Sequence, residues 1–502
     1  MRILLDTNIL IHREARTVIR SDIGLLFRWL DRLKHRKLID PRSIKEIERH
    51  ADSAVVRTFK IKLGSYEELK TIAPDVPGLA AIRANDRTEN DRIDSSLVNE
   101  LAAGRVDCLI TEDRAIHDKA ALLGLAGGVF TIDGFLEKVT AENPGLVDYK
   151  TVSIRKELFG NINVSETFFD SFRQDYLGFD GWFASKANEE AYVCRTDGKI
   201  TAFLYLKIED KNEPYPDIEP TFSAKKRLKI GTLKVALNGV KLGERFLKIV
   251  FDNAIRLRVA EIYVTVFERD GDQQRLVNLL EDFGFRRFGA KKNSYGNEAV
   301  FTRDMSPRFE SANPLLTYPF FPKSGRSFIV SIYEQYHTSL FPDSILRTES
   351  PASFVEHEPH RNAIRKVYVS RAYRRDLRSG DILVFYRTGG YYKGVASTIG
   401  IVESVVTGIK TAEEFTSVCR KRSVFTDAEL LDHWNYSRGN RPFIVNFLYS
   451  YSLPKRPNMA RLIQMGIFKD VNSAPRGFEE LGQGQLEGIL KESEYDDRIV
   501  VD

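Results

Sequence analysis

Cysteine is scarce in this chain: Cys108, Cys194 and Cys419 are spread over 502 residues. Such spacing fits neither a disulfide framework nor a metal-binding pair, so we expect reduced, mostly structural thiols. Long hydrophobic runs are also missing, since no apolar stretch reaches the 18 residues of a membrane span. The start MRILLDTNILIHRE carries Asp6 where a secretory signal has its apolar core. The sequence therefore predicts a cytoplasmic protein that has no membrane partner.

A strong charge of one sign is absent too. The net charge of +5 is modest, which argues against uniform attraction of the whole molecule to nucleic acid. Two local runs are basic: residues 225–248 hold eight Lys or Arg against Glu244, and residues 361–378 hold seven against Asp376. Either run could neutralise phosphates, and the alternative is a solvated face of a helix or strand.

The length predicts about three domains, and the sequence shows no internal repeat. In residues 1–148 short apolar strands alternate with amphipathic helices, which predicts a three-layer α/β domain around a parallel sheet. Residues 149–305 combine longer strands with two amphipathic helices and predict an α+β domain. Residues 306–322 are predicted to be a linker, and residues 323–502 a mainly β barrel.

The candidate catalytic residues and metal ligands are acids of the first domain. Asp6 ends the strand RILLD and Asp113 follows the strand DCLIT, at the strand ends where open α/β sheets collect ligands. Glu46 lies in the helix SIKEIERH, and Asp91 and Asp94 share one helical face. Each acid alone could cap a helix or face solvent, but convergent carboxylates repel one another unless a cation joins them. Oxygen ligands without His or Cys favour Mg²⁺ or Mn²⁺, ions that can activate water for attack on phosphorus.

These segments resemble the PIN-domain ribonucleases in LLDTNIL, in the Glu of SIKEIE, and in the Asp residues of NDRID and LITEDRAI. The resemblance implies that Asp6, Glu46, Asp91 and Asp113 bind the metal and cut RNA, with Thr7 or Asn8 near the scissile phosphate. Asp94 could replace Asp91 as a metal ligand, and Asp118 could assist. The family contains toxins and RNA-processing enzymes, so the implied partners are RNA such as tRNA or mRNA, an antitoxin protein, and a second copy of the chain.

The second domain contains a strand, a glycine-bearing turn and a helix in LKIGTLKVALNGVKLGERFLKIVF. Backbone N–H groups at such a helix start can hold a pyrophosphate, and the alternative is that the glycines only allow tight packing. AEIYVTVFERD followed by QQRLVNLLEDFGFRRFG resembles the second half of the GNAT acetyltransferase fold. That resemblance implies acetyl-CoA binding by the following residues: Gly239, Val240, Lys241, Leu242 and Gly243.

Three positions depart from the GNAT pattern. Asn238 replaces the customary Arg or Gln that opens the loop, and Lys241 replaces a glycine. Leu280 stands where many members have a Tyr that protonates the departing thiolate, and a leucine has no proton to donate. The domain is therefore predicted to bind a CoA-type ligand, to act slowly, to use another acid, or to serve only as a scaffold.

The third domain interleaves arginines with tyrosines in KVYVSRAYRRDLRSGDILVFYRTGGYYKG. Such residues can stack bases while they hold a backbone, or the aromatic rings can fill the core of a barrel. LRSGDILVFYRT and GIVESV resemble PUA-like barrels of the ASCH or EVE type. The resemblance implies RNA or modified-nucleotide recognition by Arg371, Arg374, Arg378, Tyr391 and Tyr392. Trp434 could join a base pocket, although a lone Trp is more often part of a core.

The leading hypothesis is a metal-dependent endoribonuclease, a hydrolase whose barrel holds the RNA. Its main alternative is an N-acetyltransferase that acts on aminoacyl-tRNA or on protein amines. A second alternative is a non-catalytic sensor of modified nucleic acid.

Overall fold

This computed structural model describes residues 1–14, 21–49, 56–57, 59–60, 63–142, 153–196, 198–236, 241–269, 271–293, 296–344, 361, 363–420, 422–482 and 484–501. They form two compact units, Met1–Asp148 and Tyr149–Asp502. The chain is a multidomain α/β protein with several sheets, as predicted at that level. None of the helices in these ranges has the length and apolar content needed to cross a membrane.

The described part of the first unit contains a parallel sheet with the strand order β3-β2-β1-β4-β5. Its strands are β1 Arg2–Leu5, β2 Arg36–Ile39, β3 Glu67–Glu68, β4 Cys108–Ile110 and β5 Val129–Phe130. Its helices are α1 Thr7–Glu14, α2 Ser21–Arg32, α3 Pro41–Glu48, α4 Leu79–Arg83, α5 Glu89–Ala102, α6 Arg114–Leu122 and α7 Ile132–Glu142, with 3₁₀ turns at Leu63–Ser65 and Ala126–Gly128.

Alternation along β1 explains the layers of this unit, because successive strand residues point to opposite faces. Ile3 and Leu5 pack with α1, α2 and α7 on one face. Leu4 packs with α5 and α6 on the other face. The sheet is thus the middle of three layers, while membership of the PIN family stays a prediction.

The second unit begins with a sheet of the order β6-β7-β8-β10-β11-β13-β12-β9. Its strands are β6 Ser153–Leu158, β7 Glu190–Thr196, β8 Lys199–Glu209, β9 Ile218–Glu219, β10 Arg227–Val235, β11 Glu261–Val266, β12 Arg286–Asn293 and β13 Gly296–Asp304. The accompanying helices are α8 Asp170–Asp175, α9 Phe179–Ser185, α10 Leu242–Arg256 and α11 Gly271–Asp282, with 3₁₀ turns at Phe159–Asn161 and Thr167–Phe169. Strands β10 and β11 are parallel, and the other described pairs of this sheet are antiparallel.

The two faces of this sheet are covered by different elements. Leu228 and Ile230 of β10 pack against α10 and α11. Phe203 and Tyr205 of β8 point the other way, into an aromatic cluster with α8 and α9. A β-bulge between Ile230 and Thr232 interrupts the pairing of β10 with β8.

The remaining residues form a mixed sheet of the order β16-β19-β18-β17-β15-β20 and a small pair, β14 with β21. Their bounds are β14 Phe321–Pro322, β15 Ser327–Ile332, β16 Arg365–Ser370, β17 Ile382–Arg387, β18 Val395–Val406, β19 Phe443–Ser452, β20 Phe478–Glu480 and β21 Val500–Val501. The helices are α12 Glu334–Leu340, α13 Gly390–Lys393, α14 Ala412–Cys419, α15 Asp427–Asn435, α16 Met459–Gln464 and α17 Gln485–Glu492, with 3₁₀ turns at Pro314–Thr317, Pro342–Ser344 and Asp497–Ile499.

The mixed sheet curls until its edge strands approach each other. Tyr368 of β16 donates a hydrogen bond to the carbonyl of Ser331 at 2.8 Å, and its ring lies 5.6 Å from that of Phe478 on β20. The assignment to a PUA-like barrel stays a prediction.

One hydrophobic core joins the two large sheets of the second unit. It contains Ile262 of the first sheet and Phe251 of its helix α10, and Ile382 and Ile399 of the second sheet. The boundary predicted at residue 305 and the linker 306–322 stay predictions, but most of the residues from 314 to 321 are buried, with Leu316 exposed. Leu315, Tyr318, Phe320 and Phe321 belong to the shared core.

Candidate active sites

The order of the parallel strands in the first unit creates a crevice between β1 and β4. The chain moves from β1 to β2 and β3 on one side and then returns to β4 on the other. The segments after β1 and β4 therefore separate, and such switch points are where open α/β sheets bind ligands. Asp6 follows β1, and Thr111 and Asp113 follow β4.

Asp6 is 4% exposed and accepts a hydrogen bond from the Thr111 hydroxyl at 2.8 Å. Burial raises the pKa of Asp6 to about 6, and the negative charges of Asp113 and Glu46 add to the effect. Thr111 was not singled out from the sequence, although it lies in the segment LITEDRAI that suggested Asp113.

Glu46 reaches the same crevice through Thr7. The Thr7 hydroxyl donates to Glu46 Oε2 at 2.7 Å, so the side chain after Asp6 orients a carboxylate of α3. Helix α3 begins directly after β2 because the Asp40 side chain caps it by accepting from the Arg42 N–H, with Pro41 in the first turn. Thr7 thus fixes the Glu46 carboxylate, whereas Asn8 is exposed, and the roles of both near a phosphate stay predictions.

The helix α5 separates the roles of Asp91 and Asp94. Asp91 accepts from the backbone N–H groups of Arg87 and Thr88, and Thr88 caps the Asp91 N–H in return. This capping box occupies Asp91 at the helix start and lowers its pKa. Asp94 lies one turn further on. Its pKa is raised to about 7, mainly by burial, and the negative charges of Asp113 and Asp6 add to this effect. The structure therefore brings Asp94 to the crevice and gives Asp91 a capping role.

Asp113 caps α6 by accepting from the Ala115 N–H at 2.7 Å, and its own N–H donates to Thr111 at 2.9 Å. It remains partly accessible, and its charge acts on both Asp6 and Asp94. Asp118 is exposed on the same helix.

Asp6, Glu46, Asp94 and Asp113 form what we call the acidic crevice. In the described ranges, none of these four carboxylates forms an ion pair with Lys or Arg. Lys119 lies close enough to lower the pKa of Asp94, but it pairs with Asp86 at 2.9 Å. Across the same ranges, no three His, Cys, Asp or Glu side chains stand close enough together to hold a metal ion as they are. The crevice has the donor chemistry for a hard cation without a closed set of ligands.

A second candidate site is the split between β10 and β11. Their parallel ladder pairs Arg227–Ile230 with Glu261–Val264 and ends there, although β10 continues to Val235 and β11 to Val266. Beyond Ile230 the two strands part, so a wedge opens between their backbones. An extended ligand that carries amides can add to such backbone edges.

The wedge leads towards the start of α10. Lys241 adopts a left-handed conformation with φ of 60° directly before the helix, and its ammonium lies 3.4 Å from Glu244 Oε1. Leu242 is buried, and a Cβ on Gly243 would lie 2.8 Å from a methyl of Leu279, so Gly243 allows α10 to approach α11. Gly239 and Val240, the other predicted ligands of a pyrophosphate, lie outside the described residues together with Asn238.

The charge of Glu244 at the start of α10 is compensated by its surroundings. Burial alone would raise the pKa of this carboxyl group, but Lys241, Arg365 and Arg422 outweigh it and lower the pKa to about 2. Two backbone N–H groups, those of Ile364 and Arg365, also donate to Glu244 at 2.9 and 3.0 Å. Arg365 also pairs with Glu403 at 3.1 Å, so these groups compensate the charge of Glu244 at the helix N-terminus.

A polar group beside the split was missed in the sequence. Glu298 of β13 is 2% exposed and accepts from the hydroxyls of Tyr176 at 2.5 Å and Thr265 at 3.0 Å. Thr265 belongs to β11 just past the point where the ladder ends. A single Glu in a strand has no motif spacing that could have revealed it. Leu280 lies in the apolar core and offers no proton, as predicted from its side chain.

The predicted nucleic-acid contacts of the third domain lie in different surroundings. Arg371 stacks on the exposed ring of Tyr436 at 3.8 Å. Arg374 is engaged by Asp376 and by Glu480 at 2.6 Å. Arg378 is exposed, and Tyr391 is 43% exposed. Tyr392 belongs to α13, and its side chain lies outside the described set.

Trp434 follows the core alternative. It is 6% exposed and packs against Phe415 with ring centroids 5.5 Å apart. The guanidinium carbon of Arg441 lies 4.6 Å from the centroid of the Trp434 ring. Among the described residues, the contacts of Trp434 therefore do not form a base pocket.

Comparison with solved structures finds acetyltransferases. An IAA acetyltransferase from Bacillus cereus ATCC 14579 is 13% identical, with a TM-score of 0.22, over 31% of this chain and 99% of that one. A GNAT family acetyltransferase from Elizabethkingia anophelis with acetyl-CoA bound is 13% identical, with a TM-score of 0.23, over 31% and 98%. An N-acetyltransferase from Staphylococcus aureus Mu50 is 12% identical, with a TM-score of 0.24, over 30% and 97%. No protein-family model and no curated protein matches the chain. At these identities and scores the likeness decides nothing about activity.

Proposed function

We propose that the second unit binds acyl-CoA in the split between β10 and β11 and transfers the acyl group to an amine. The observation that carries this proposal is the early end of the β10–β11 ladder beside a buried carboxylate, Glu298. The sequence placed this function second. It comes first here because a proton acceptor and a helix N-terminus preceded by Lys241 lie at the same split, whereas the acidic crevice has no closed set of metal ligands among the described residues.

The residues around the split suit the parts of such a ligand. The segment of β10 from Ile230 to Val235 is about 17 Å long. It offers a backbone edge to the amides of an extended arm. The N-terminus of α10 and the ammonium of Lys241 suit phosphates at the wide end. When bound, acyl-CoA supplies the acyl thioester that an amine attacks.

Glu298 is the proposed base of the reaction. Its carboxylate would take the proton from the amine nitrogen as that nitrogen attacks the thioester carbonyl, while Tyr176 and Thr265 hold the carboxylate in position. The thiolate leaves as the new amide forms, and Leu280 cannot supply its proton. We therefore expect slow turnover compared with an enzyme that has an acid at that position.

Titration of the full-length protein with acetyl-CoA, followed by calorimetry, tests the proposal. We expect Lys241→Glu to weaken binding about tenfold or more, because it replaces a cation with an anion at the phosphate end. Lys199→Glu makes the same charge change at an exposed position of β8 and should leave binding unchanged. No binding of acetyl-CoA at millimolar concentration would reject the proposal. Glu298→Gln should lower kcat by about 10²- to 10⁴-fold while acetyl-CoA still binds.

We propose a metal-dependent cleavage of RNA in the acidic crevice as the second candidate function. It is supported by the mutual electrostatic effect of the carboxylates at the switch point, two of which have raised pKa values. A Mg²⁺ or Mn²⁺ ion would relieve this repulsion and supply an activated water at neutral pH. Asp6, Asp94, Asp113 and Glu46 are the residues that would hold it, with Thr7 and Thr111 fixing two of the carboxylates.

RNA is the proposed partner of this second function, and the Arg371–Tyr436 stack is a candidate contact for its bases. An antitoxin protein and a second copy of the chain stay predictions drawn from the family resemblance. Calorimetric titration of the metal-free protein with Mn²⁺ tests the crevice, and a failure to bind Mn²⁺ would reject it.

A further inference from the structure

Two groups of packed residues cover one face of the sheet of the second unit, and we call the stretch between them the cleft. On one side are α8 and α9 with their aromatic cluster, which includes Phe203 and Tyr205. On the other side, Tyr215 and Phe222 pack over Tyr263. Lys229 of β10 and Thr265 of β11 remain half-buried on the same face of the sheet. These two residues form the floor of the cleft beside the point where the β10–β11 ladder ends.

Lys229 differs from the other lysines at this cleft. Lys207 pairs with Glu209 at 3.1 Å and with Glu213 at 2.8 Å. Lys291 lies 3.3 Å from Asp217. Lys229 forms no ion pair with any of the described residues, and the ring of Tyr263 lies 5.6 Å from its ammonium.

The charged groups that face Lys229 do not compensate it. Glu209, from β8, is already engaged by the hydroxyls of Tyr263 at 2.7 Å and Tyr215 at 3.0 Å, besides Lys207. Glu298, from β13, accepts from Tyr176 and Thr265. The pKa of Lys229 is lowered, mainly by burial and then by the positive charge of Lys291. Lys207 also lowers this pKa, whereas Glu209 and Glu298 raise it. A half-buried ammonium without its own anion is costly, and a ligand anion would lower that cost.

We propose that Lys229 binds the anionic group of the acceptor, so that the acceptor is an amine that also carries a carboxylate or a phosphate. This inference rests on the proposed acyl transfer, because Glu298 would take the proton of the same acceptor. The anion lies at Lys229, the amine lies towards Thr265 and Glu298, and the acyl thioester enters at the end of the ladder. Free amino acids and aminoalkyl phosphates have this combination of groups.

The site should prefer an acceptor with an anionic group, because any other acceptor would leave the half-buried ammonium of Lys229 unpaired. We therefore expect an amino acid to be acetylated about 100-fold more efficiently, in kcat/KM, than its uncharged amide. Most of the difference should appear in KM, since Lys229 contacts a part of the acceptor that does not react.

The test uses the full-length protein with acetyl-CoA and three acceptors: an amino acid, its amide, and phosphoethanolamine. Lys229→Met keeps the length of the side chain and removes its charge. We expect it to abolish the preference for the anionic acceptors, so that the amino acid and its amide are acetylated with similar kcat/KM. Lys211→Met makes the same exchange at an exposed position after β8 and should behave like the wild type. The amino acid and phosphoethanolamine arms show whether the cleft takes a carboxylate or a phosphate.

Equal efficiency with amino acid and amide would overturn the proposal, as would an equal loss for all acceptors in Lys229→Met. Direct calorimetry of the acceptors in the absence of acetyl-CoA separates this inference from the proposed function. Binding of an anionic amine that disappears in Lys229→Met would support the anion site even if no acyl transfer were found. Binding that is the same in both proteins would reject it.

Discussion

Two aspartates one helical turn apart show how single residues acquire different roles. The sequence predicted that either Asp91 or Asp94 faces the metal, because both lie on one face of α5. The choice depends on Thr88, whose hydroxyl and backbone engage Asp91 in a capping box. Asp6 and Asp113 could be predicted because each lies within three residues of the end of a strand. Glu298 could not, because a buried carboxylate in a strand is defined only by the hydroxyls that fold against it.

We expect Asp94→Asn to weaken Mn²⁺ binding about 10- to 100-fold, whereas Asp91→Asn keeps wild-type affinity because an Asn carbonyl can still accept at the helix start. Binding of Mn²⁺ to the wild type should strengthen as the pH rises from about 6 to about 8, because protons compete for Asp6 and Asp94. Calorimetric titrations at both pH values measure each effect. The reverse order, with Asp91→Asn as the weaker binder, would move the site to the helix start.

The same raised pKa predicts a stability effect of known sign. The folded protein holds a proton on Asp94 more tightly than the unfolded chain, so the metal-free first unit loses stability as the pH rises from about 4 to about 7. Asp94→Asn should stabilise it at pH 8 by about 1 kcal/mol, after allowance for solvent screening of a partly exposed group. Hydrogen exchange of the β1 peptide reports this. A destabilised variant would contradict the assigned electrostatics.

At the level of the elements, periodicity predicted where strands and helices form but not how they pair. The strand EAYVCRT and the helix GERFLKIVFDNAIRL agree with β7 and α10 to within one residue. The split between β10 and β11 was not foreseen. It depends on a parallel register that ends after Ile230 and on a bulge next to it, and neither is visible in the periodicity of a single strand.

Gly284, part of the predicted GF pair, ends α11 with a φ of 78°, and a Cβ there would lie 2.1 Å from the carbonyl oxygen of Leu316. Gly284→Ala should therefore destabilise the second unit by about 3 kcal/mol or more, from the backbone conformation and the clash together. Gly178→Ala is the matched control: its φ is 83°, but nothing lies within 4 Å of the added Cβ, so it should cost only about 1 kcal/mol. Urea unfolding of the two variants gives the comparison, and equal costs would show that the Leu316 backbone moves aside freely.

On the scale of the whole molecule, each unit has its own cores, but the second unit does not divide cleanly. Arg303 is fully buried and donates to the carbonyls of Phe283 at 3.0 Å and Tyr318 at 3.1 Å. Tyr318 packs on Phe251 and donates to the carbonyl of Tyr449 at 2.9 Å. The stretch that the sequence predicted to be a linker thus connects the cores of two sheets, a role that its composition does not reveal.

The fragments 1–148 and 149–502 are therefore each expected to fold alone, whereas 149–305 is not. In the short fragment Arg303 would lose an acceptor for a buried charged group, and the apolar faces around Phe251 and Phe283 would lose Tyr318. Both losses act on the same core, and a buried cation without its acceptor costs several kcal/mol. Cooperative thermal unfolding, together with acetyl-CoA titration, distinguishes the fragments: 149–502 should melt in a sharp transition and bind like the full chain. If 149–305 melted as sharply and bound as well, the two sheets would be independent domains, and the boundary predicted at residue 305 would hold.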